Sequence, residues 1–232
     1  HSRTHPGETP SSYHFDGIIQ KLLEDDEVIK YYLQNVVFHC IPFTNPDGVY
    51  YGRSRTNFDG VDVESNWDKP LSQTSKEVQI LKARMTEINS EKVLTVFNNL
   101  HSLASPKCTF FIHTIASTTH YLNRRKTQFS HLNTSDNPYF FPSDYSFSTL
   151  QPYFPEGWLF QNYGEVMAIT YETPYDFYSN GIIVTNENLY EIGYRNLYAI
   201  AEFLQLSHPR HLLLDDKFAL GTWNHDSSGT EL

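Results

Sequence analysis

The chain has 232 residues, 39% hydrophobic and 15% aromatic, which is enough for a sizeable core and too much for a disordered tail. Its formal net charge of -10 at pH 7 repels phosphate backbones and argues against a dedicated nucleic-acid binder. No apolar run approaches the roughly 18 to 20 residues that span a bilayer. Two cysteines, Cys40 and Cys108, make no disulfide framework, although one bridge between them stays open.

Helical spacing of apolar residues predicts a first helix over Tyr13 to Leu23 and a short second one around Val28 to Leu33. The continuous run Val36 to Phe43 reads as a buried strand, stopped by the turn cluster Thr44-Asn45-Pro46-Asp47-Gly48. Ser75 to Asn89 reads as an exposed helix with Val78, Leu81, Met85 and Ile88 along its apolar stripe. Val93 to Phe97, Phe110 to Thr114 and Val166 to Tyr171 read as further strands, and residues 123–150 as a mix of helix and long loop. Asn188 to Leu206 closes the pattern as a strong helix. Strands alternating with helices predict an α/β fold.

Open α/β sheets carry their chemistry at the carboxyl ends of strands. Behind the predicted strands stand Asn98 to Ser102, Glu172 and the Asn45 to Gly48 turn, and His5-Pro6-Gly7-Glu8 opens the chain. Hydrolytic zinc is commonly held by three His and Glu side chains, with a fourth position for water. His5 and Glu8, three apart, can reach one ion, with His101 as the candidate third ligand. Spacing alone favours a turn histidine at His5 and a capping or core histidine at His101. The pairs His113/His120 and His208/His211 have no carboxylate placed like Glu8 and read as surface or core positions.

Five segments in order resemble the M14 zinc carboxypeptidases, closest to their cytosolic-carboxypeptidase-like and bacterial branches. They are His5-Pro6-Gly7-Glu8-Thr9, Asn45-Pro46-Asp47-Gly48, Gly60-Val61-Asp62 with Asn66-Trp67, Leu100-His101-Ser102, and Ile169-Thr170-Tyr171-Glu172. The resemblance implies a mixed, mostly parallel central sheet flanked by helices. It implies one Zn2+ ion on His5, Glu8 and His101, with Asp62 orienting His5 from behind. Glu172 becomes the general base and acid, which takes a proton from the attacking water and hands it to the leaving amine. Arg55 becomes the cation facing the carbonyl oxyanion, with Arg53 a near neighbour that could exchange roles with it. Tyr153 becomes the tyrosine that covers the substrate, although among sixteen tyrosines a core or surface aromatic is the stronger reading.

The chain departs from that family at Glu64 and Ser65, where an Asn-Arg pair normally binds the terminal carboxylate of the substrate. One unit-charge contact at about 4 Å is worth roughly 4 kcal/mol at an effective dielectric near 20. An anion in place of a cation therefore disfavours an ordinary peptide C-terminus. It favours an amino group, or an amidated or side-chain-linked substrate, unless Glu64 pairs with Arg53. The expected function is zinc-dependent hydrolysis of a peptide or amide bond. The alternative is a non-catalytic peptide- or glycan-binding module on the same fold. Residues 1–206 are expected to form the catalytic domain and 207–232 a C-terminal extension. Because only four residues precede His5, the chain reads as a fragment of a longer one, with a lean towards a periplasmic or secreted bacterial setting.

Overall fold

A computed structural model of the chain describes residues 1–206. The expected extension over 207–232, with His208 and His211, lies outside the described residues. Among the described residues, four strands form one sheet: β1 (Val96–Leu103), β2 (Thr109–His113), β3 (Ser146–Ser148) and β4 (Met167–Pro174). Their spatial order is β1-β4-β2-β3. β1 runs parallel to β4 and β3 parallel to β2, while β2 and β4 are antiparallel, so the sheet is mixed and mostly parallel.

Among the described residues there are seven α-helices: α1 (Pro10–Leu22), α2 (Glu27–Asn35), α3 (Pro46–Tyr50), α4 (Lys76–Glu91), α5 (His120–Thr134), α6 (Pro155–Tyr163) and α7 (Asn186–Phe203). Alternation along the strands sends successive side chains to opposite faces. Leu100, Met167, Ile169 and Tyr171 join the larger core with Phe15, Ile29, Phe129 and Leu197. Phe97, Val166 and Ala168 join a second core with Val63, Trp67, Leu81 and Leu159. Helices therefore cover both faces.

Three sequence expectations need correction. Val36 to Phe43 is not a buried strand: Val37 and Phe43 are exposed, and the segment touches the sheet through Ser2. Ser2 donates its N–H to the Ile41 oxygen (3.1 Å) and its hydroxyl to the Pro42 oxygen (2.7 Å), and it forms a parallel bridge to Leu100. β1 starts at Val96 rather than Val93, which is 80% exposed, and it includes the polar residues Asn98 to Ser102. Side chains satisfy most of their polar groups: Asn98 donates to Asn196 on α7 (2.7 Å) and Asn99 meets three partners, while Asn98 Oδ1 makes no hydrogen bond among the described residues. Cys40 and Cys108 are both free thiols, one exposed and one buried.

α1 and α7 cross at close range because Gly193 has no side chain there. A Cβ at Gly193 would stand 2.3 Å from the His14 carbonyl oxygen. Gly193→Ala is expected to force the helices apart and cost about 1–3 kcal/mol, read as a lower midpoint in chemical denaturation.

His14 faces Tyr171 edge-on at 4.6 Å, and neither ring nitrogen has a hydrogen-bond partner among the described residues. Burial holds its pKa down at about 3. The folded state keeps this ring neutral while the unfolded chain protonates near 6.5, so its contribution is complete above pH 6.5 and is lost as pH falls towards 3. Denaturation of wild type and His14→Phe in parallel should show their stability difference shifting towards the variant by about 1.4 kcal/mol per pH unit below 6.5.

Candidate metal centre

The site is assembled from four chain segments at the carboxyl ends of β1 and β4, on the face that carries the second core. His5 arrives on the segment beside β1, placed by the Ser2–Leu100 bridge and by the hydrogen bond from the Leu100 N–H to the His1 oxygen (2.9 Å). Arg3 folds the turn that follows by donating its Nε to the Pro6 oxygen (2.9 Å). Asn45, fully buried, ties the turn cluster to this segment. Its Nδ2 donates to the Thr4 oxygen (3.2 Å), and its Oδ1 accepts from Gly48 N–H (3.0 Å) to cap α3. Gly7 lets the Arg55 loop approach: its N–H donates to the Ser54 oxygen at 2.8 Å, and a Cβ there would stand 2.8 Å from the same atom.

Glu8 lies between the two histidines. Its Oε1 is 2.6 Å from His5 Nδ1 and its Oε2 is 2.8 Å from His101 Nδ1. The imidazole centroids stand 4.8 Å apart. One donor atom from each of His5, Glu8 and His101 falls within 4.8 Å of the others. Two imidazoles and a carboxylate are a fitting donor set for zinc. Burial raises the Glu8 pKa, but hydrogen bonds from His101 and His5 outweigh it and bring it down to about 2. Burial likewise lowers the pKa of both histidines, and facing carboxylates reverse it: Asp62 and Glu8 for His5, Glu64 and Glu8 for His101.

Glu172 pairs with His101 in the β1–β4 register, so the two stand side by side on neighbouring strands. Its Oε2 is buried with no hydrogen-bond partner, and burial lifts the carboxyl to about 7. Asp62 is 3.3 Å from His5 Nε2 through Oδ1 and accepts from Arg55 Nε at 2.7 Å through Oδ2. Arg55 is thereby held beside the site while more than half exposed. Arg53 is exposed, and it forms no ion pair with Glu64 among the described residues.

Two expected substrate contacts stand elsewhere. Glu64 is 6% exposed and points at the sheet, with Oε2 at 3.3 Å from His101 Nε2 and Oε1 accepting from Asn99 Nδ2 at 2.8 Å. An anion fixed there backs a histidine; it does not face an open pocket. Tyr153 is 40% exposed, packs edge-on against Phe154, and takes the Trp67 N–H on its backbone oxygen. Ser65 is half-buried on the same loop. The tyrosine that reaches the metal-ligand segment is Tyr175, which sequence reasoning missed. Its hydroxyl donates to the Gly7 oxygen at 3.4 Å, and its pKa rises to about 12 through burial and the charges of Glu8 and Glu172. Its only sequence signal is its place three residues after Glu172.

The family model for zinc carboxypeptidases, peptidase family M14, matches residues 1–191. The chain belongs to the zinc carboxypeptidase family. Among its relatives, cytosolic carboxypeptidase 6 of Mus musculus is 41% identical over 68 residues, which is 29% of this chain and 13% of that protein. Cytosolic carboxypeptidase 6 of Caenorhabditis elegans is 31% identical over 110 residues, 46% of this chain and 24% of that protein. The fold is shared with a metallo-carboxypeptidase from Burkholderia cenocepacia, at a TM-score of 0.75 and 22% identity, over 88% of this chain and 55% of that one. This member of the zinc carboxypeptidase family thus spans a quarter or less of those curated relatives and about half of that solved structure.

Metal analysis of the purified chain is expected to find one zinc per molecule. Glu8→Ala or His101→Ala should abolish it, with the far-ultraviolet circular dichroism unchanged.

Proposed function

We propose that the chain is a zinc-dependent hydrolase of peptide or amide bonds, with His5, Glu8 and His101 as the metal ligands. Zinc held there would polarise the scissile carbonyl and supply a nucleophilic water at neutral pH. The observation that carries the reading is the strand register that sets Glu172 beside His101, with one carboxylate oxygen buried and unpartnered. Glu172 accepts the proton of the attacking water and delivers it to the leaving amine. Arg55, steered by its bond to Asp62, faces the oxygen on which negative charge develops. Tyr175, partly exposed, bonds through its hydroxyl to the Gly7 oxygen beside Glu8.

Neither Glu64 nor Ser65 supplies the cation that a terminal carboxylate needs, so we assign the chain to amidated or side-chain-linked substrates. Arg53 and Arg55 are the cations on the neighbouring loop. The loss of a carboxylate anchor is also what a non-catalytic peptide-binding module on this fold would show.

The zinc-loaded chain should be incubated with a mixed peptide pool, with products read by mass spectrometry. Internal or side-chain amide cleavage with little C-terminal trimming is expected. Glu172→Gln should keep its zinc and lose about 10²–10⁴-fold in turnover. Retained binding of peptides without any cleavage in wild type would establish the binding module instead.

A further inference from the structure

We propose that Glu64 is a positioning residue for His101, so that Asp62-Val63-Glu64 backs the outer nitrogen of both ligand histidines. The inference rests on the metal-centre reading above and deepens it. His101 Nε2 and Glu64 Oε2 lie 3.3 Å apart, the same separation as His5 Nε2 and Asp62 Oδ1. Both His101 Nε2 and Glu64 Oε2 are buried, and neither completes a hydrogen bond among the described residues; at 3.3 Å they face each other as an ion pair. Buried polar atoms are costly to leave unpaired, which makes each the natural partner of the other.

The carboxylate is itself held from behind. Asn99 Nδ2 donates to Glu64 Oε1 at 2.8 Å and to Glu156 Oε1 at 2.9 Å, while Asn99 Oδ1 meets His1 Nε2 at 2.8 Å. Glu156 also accepts from the Thr170 hydroxyl at 2.7 Å, which anchors the chain of contacts on β4. The loop is fixed as well. Asp62 Oδ1 accepts the Glu64 N–H at 2.9 Å, and the Val63 oxygen accepts from Trp67 Nε1 at 3.0 Å, with Val63 fully buried between the two acids. Alternation across Val63 gives each imidazole one carboxylate.

When a metal takes the place of the Nδ1 proton that faces Glu8, a carboxylate on Nε2 holds the remaining ring proton there and fixes the ligating tautomer. It also raises the ligand's basicity. The glutamate that stands where a substrate-binding amide is usual serves the metal side of the site.

The test is zinc affinity of the full chain, measured by competition with a chromophoric chelator. Glu64→Gln keeps the size and removes the charge. Its zinc dissociation constant should rise about 10–100-fold, as should that of Asp62→Asn, while Ser65→Ala stays at the wild-type value. Glu64→Asp should recover part of the loss, and the cobalt-loaded Glu64→Gln protein should show a shifted visible spectrum. Unchanged affinity in Glu64→Gln beside a loss in Asp62→Asn overturns the inference. One measurement needs no variant: nitrogen-edited NMR of the metal-free wild-type chain should show an exchange-protected His101 Nε2–H. Its absence overturns the inference too. A wild-type chain that takes up no zinc would sink the metal-centre reading, and the His101 resonance would then decide the Glu64 contact separately.

Discussion

Parallel hydrogen bonding between β1 and β4 sets His101 opposite Glu172, and the bridge from Ser2 to Leu100 hangs His5 on the same ladder. A slip of one residue would turn every side chain of a strand to the other face. His101 would then enter the core that holds Leu100 and Tyr171, and Glu172 would lose its neighbour. The two cores guard against such a slip from both sides. Phe97 and Ala168 must reach the Trp67 cluster while Leu100 and Tyr171 reach the Phe129 cluster. The site's geometry is therefore a by-product of apolar alternation along two strands.

Around that frame the chain concentrates carboxylates: Glu8, Asp62, Glu64, Glu156 and Glu172 lie at one end of the sheet. Buried anions are costly unless each finds a donor. Glu8 takes two imidazoles, Asp62 an imidazole and Arg55, Glu64 an imidazole and an amide, and Glu156 an amide and a hydroxyl. Two of these buried oxygens make no hydrogen bond among the described residues: Glu64 Oε2, which faces His101 Nε2 at 3.3 Å, and Glu172 Oε2. The burial of Glu172 beside the anions Glu8 and Glu64 favours its protonated form, with His101 and His5 pulling the other way.

Much of this was legible in the chain. The helices α1, α4 and α7 follow from apolar spacing, and side-chain caps at Ser75 and Thr185 fix the starts of α4 and α7. The motif segments around His5, Asn45, Asp62, His101 and Glu172 stand together as their order implied. What could not be read was polar burial. Asn98, Asn99 and His101 look like the end of a strand, yet they form its middle, because their partners come from residues 1, 64, 156 and 196. The same non-local pairing hid the orientation of Glu64. Conversely, Val36 to Phe43 has the composition of a core strand, yet it is only partly covered, with Phe38 and Ile41 packed against the cores and Val37 and Phe43 exposed, since burial is a property of packing and not of composition. Tyr153 and Tyr175 differ only in where β4 and α6 leave them.

The loop that carries Arg55, Asp62 and Glu64 is clamped near its base. Asn57 donates its N–H to the Val61 oxygen and accepts the Val61 N–H on Oδ1, both at 2.9 Å, and its Nδ2 reaches Glu77 on α4. Beyond the clamp lie only Phe58, Asp59 and Gly60, all exposed, with Gly60 at φ +78. Extra residues grafted at that tip would be absorbed outward without moving any acid or cation behind it. A single residue inserted between Asp62 and Glu64 would break the alternation and leave one imidazole with no counterpart.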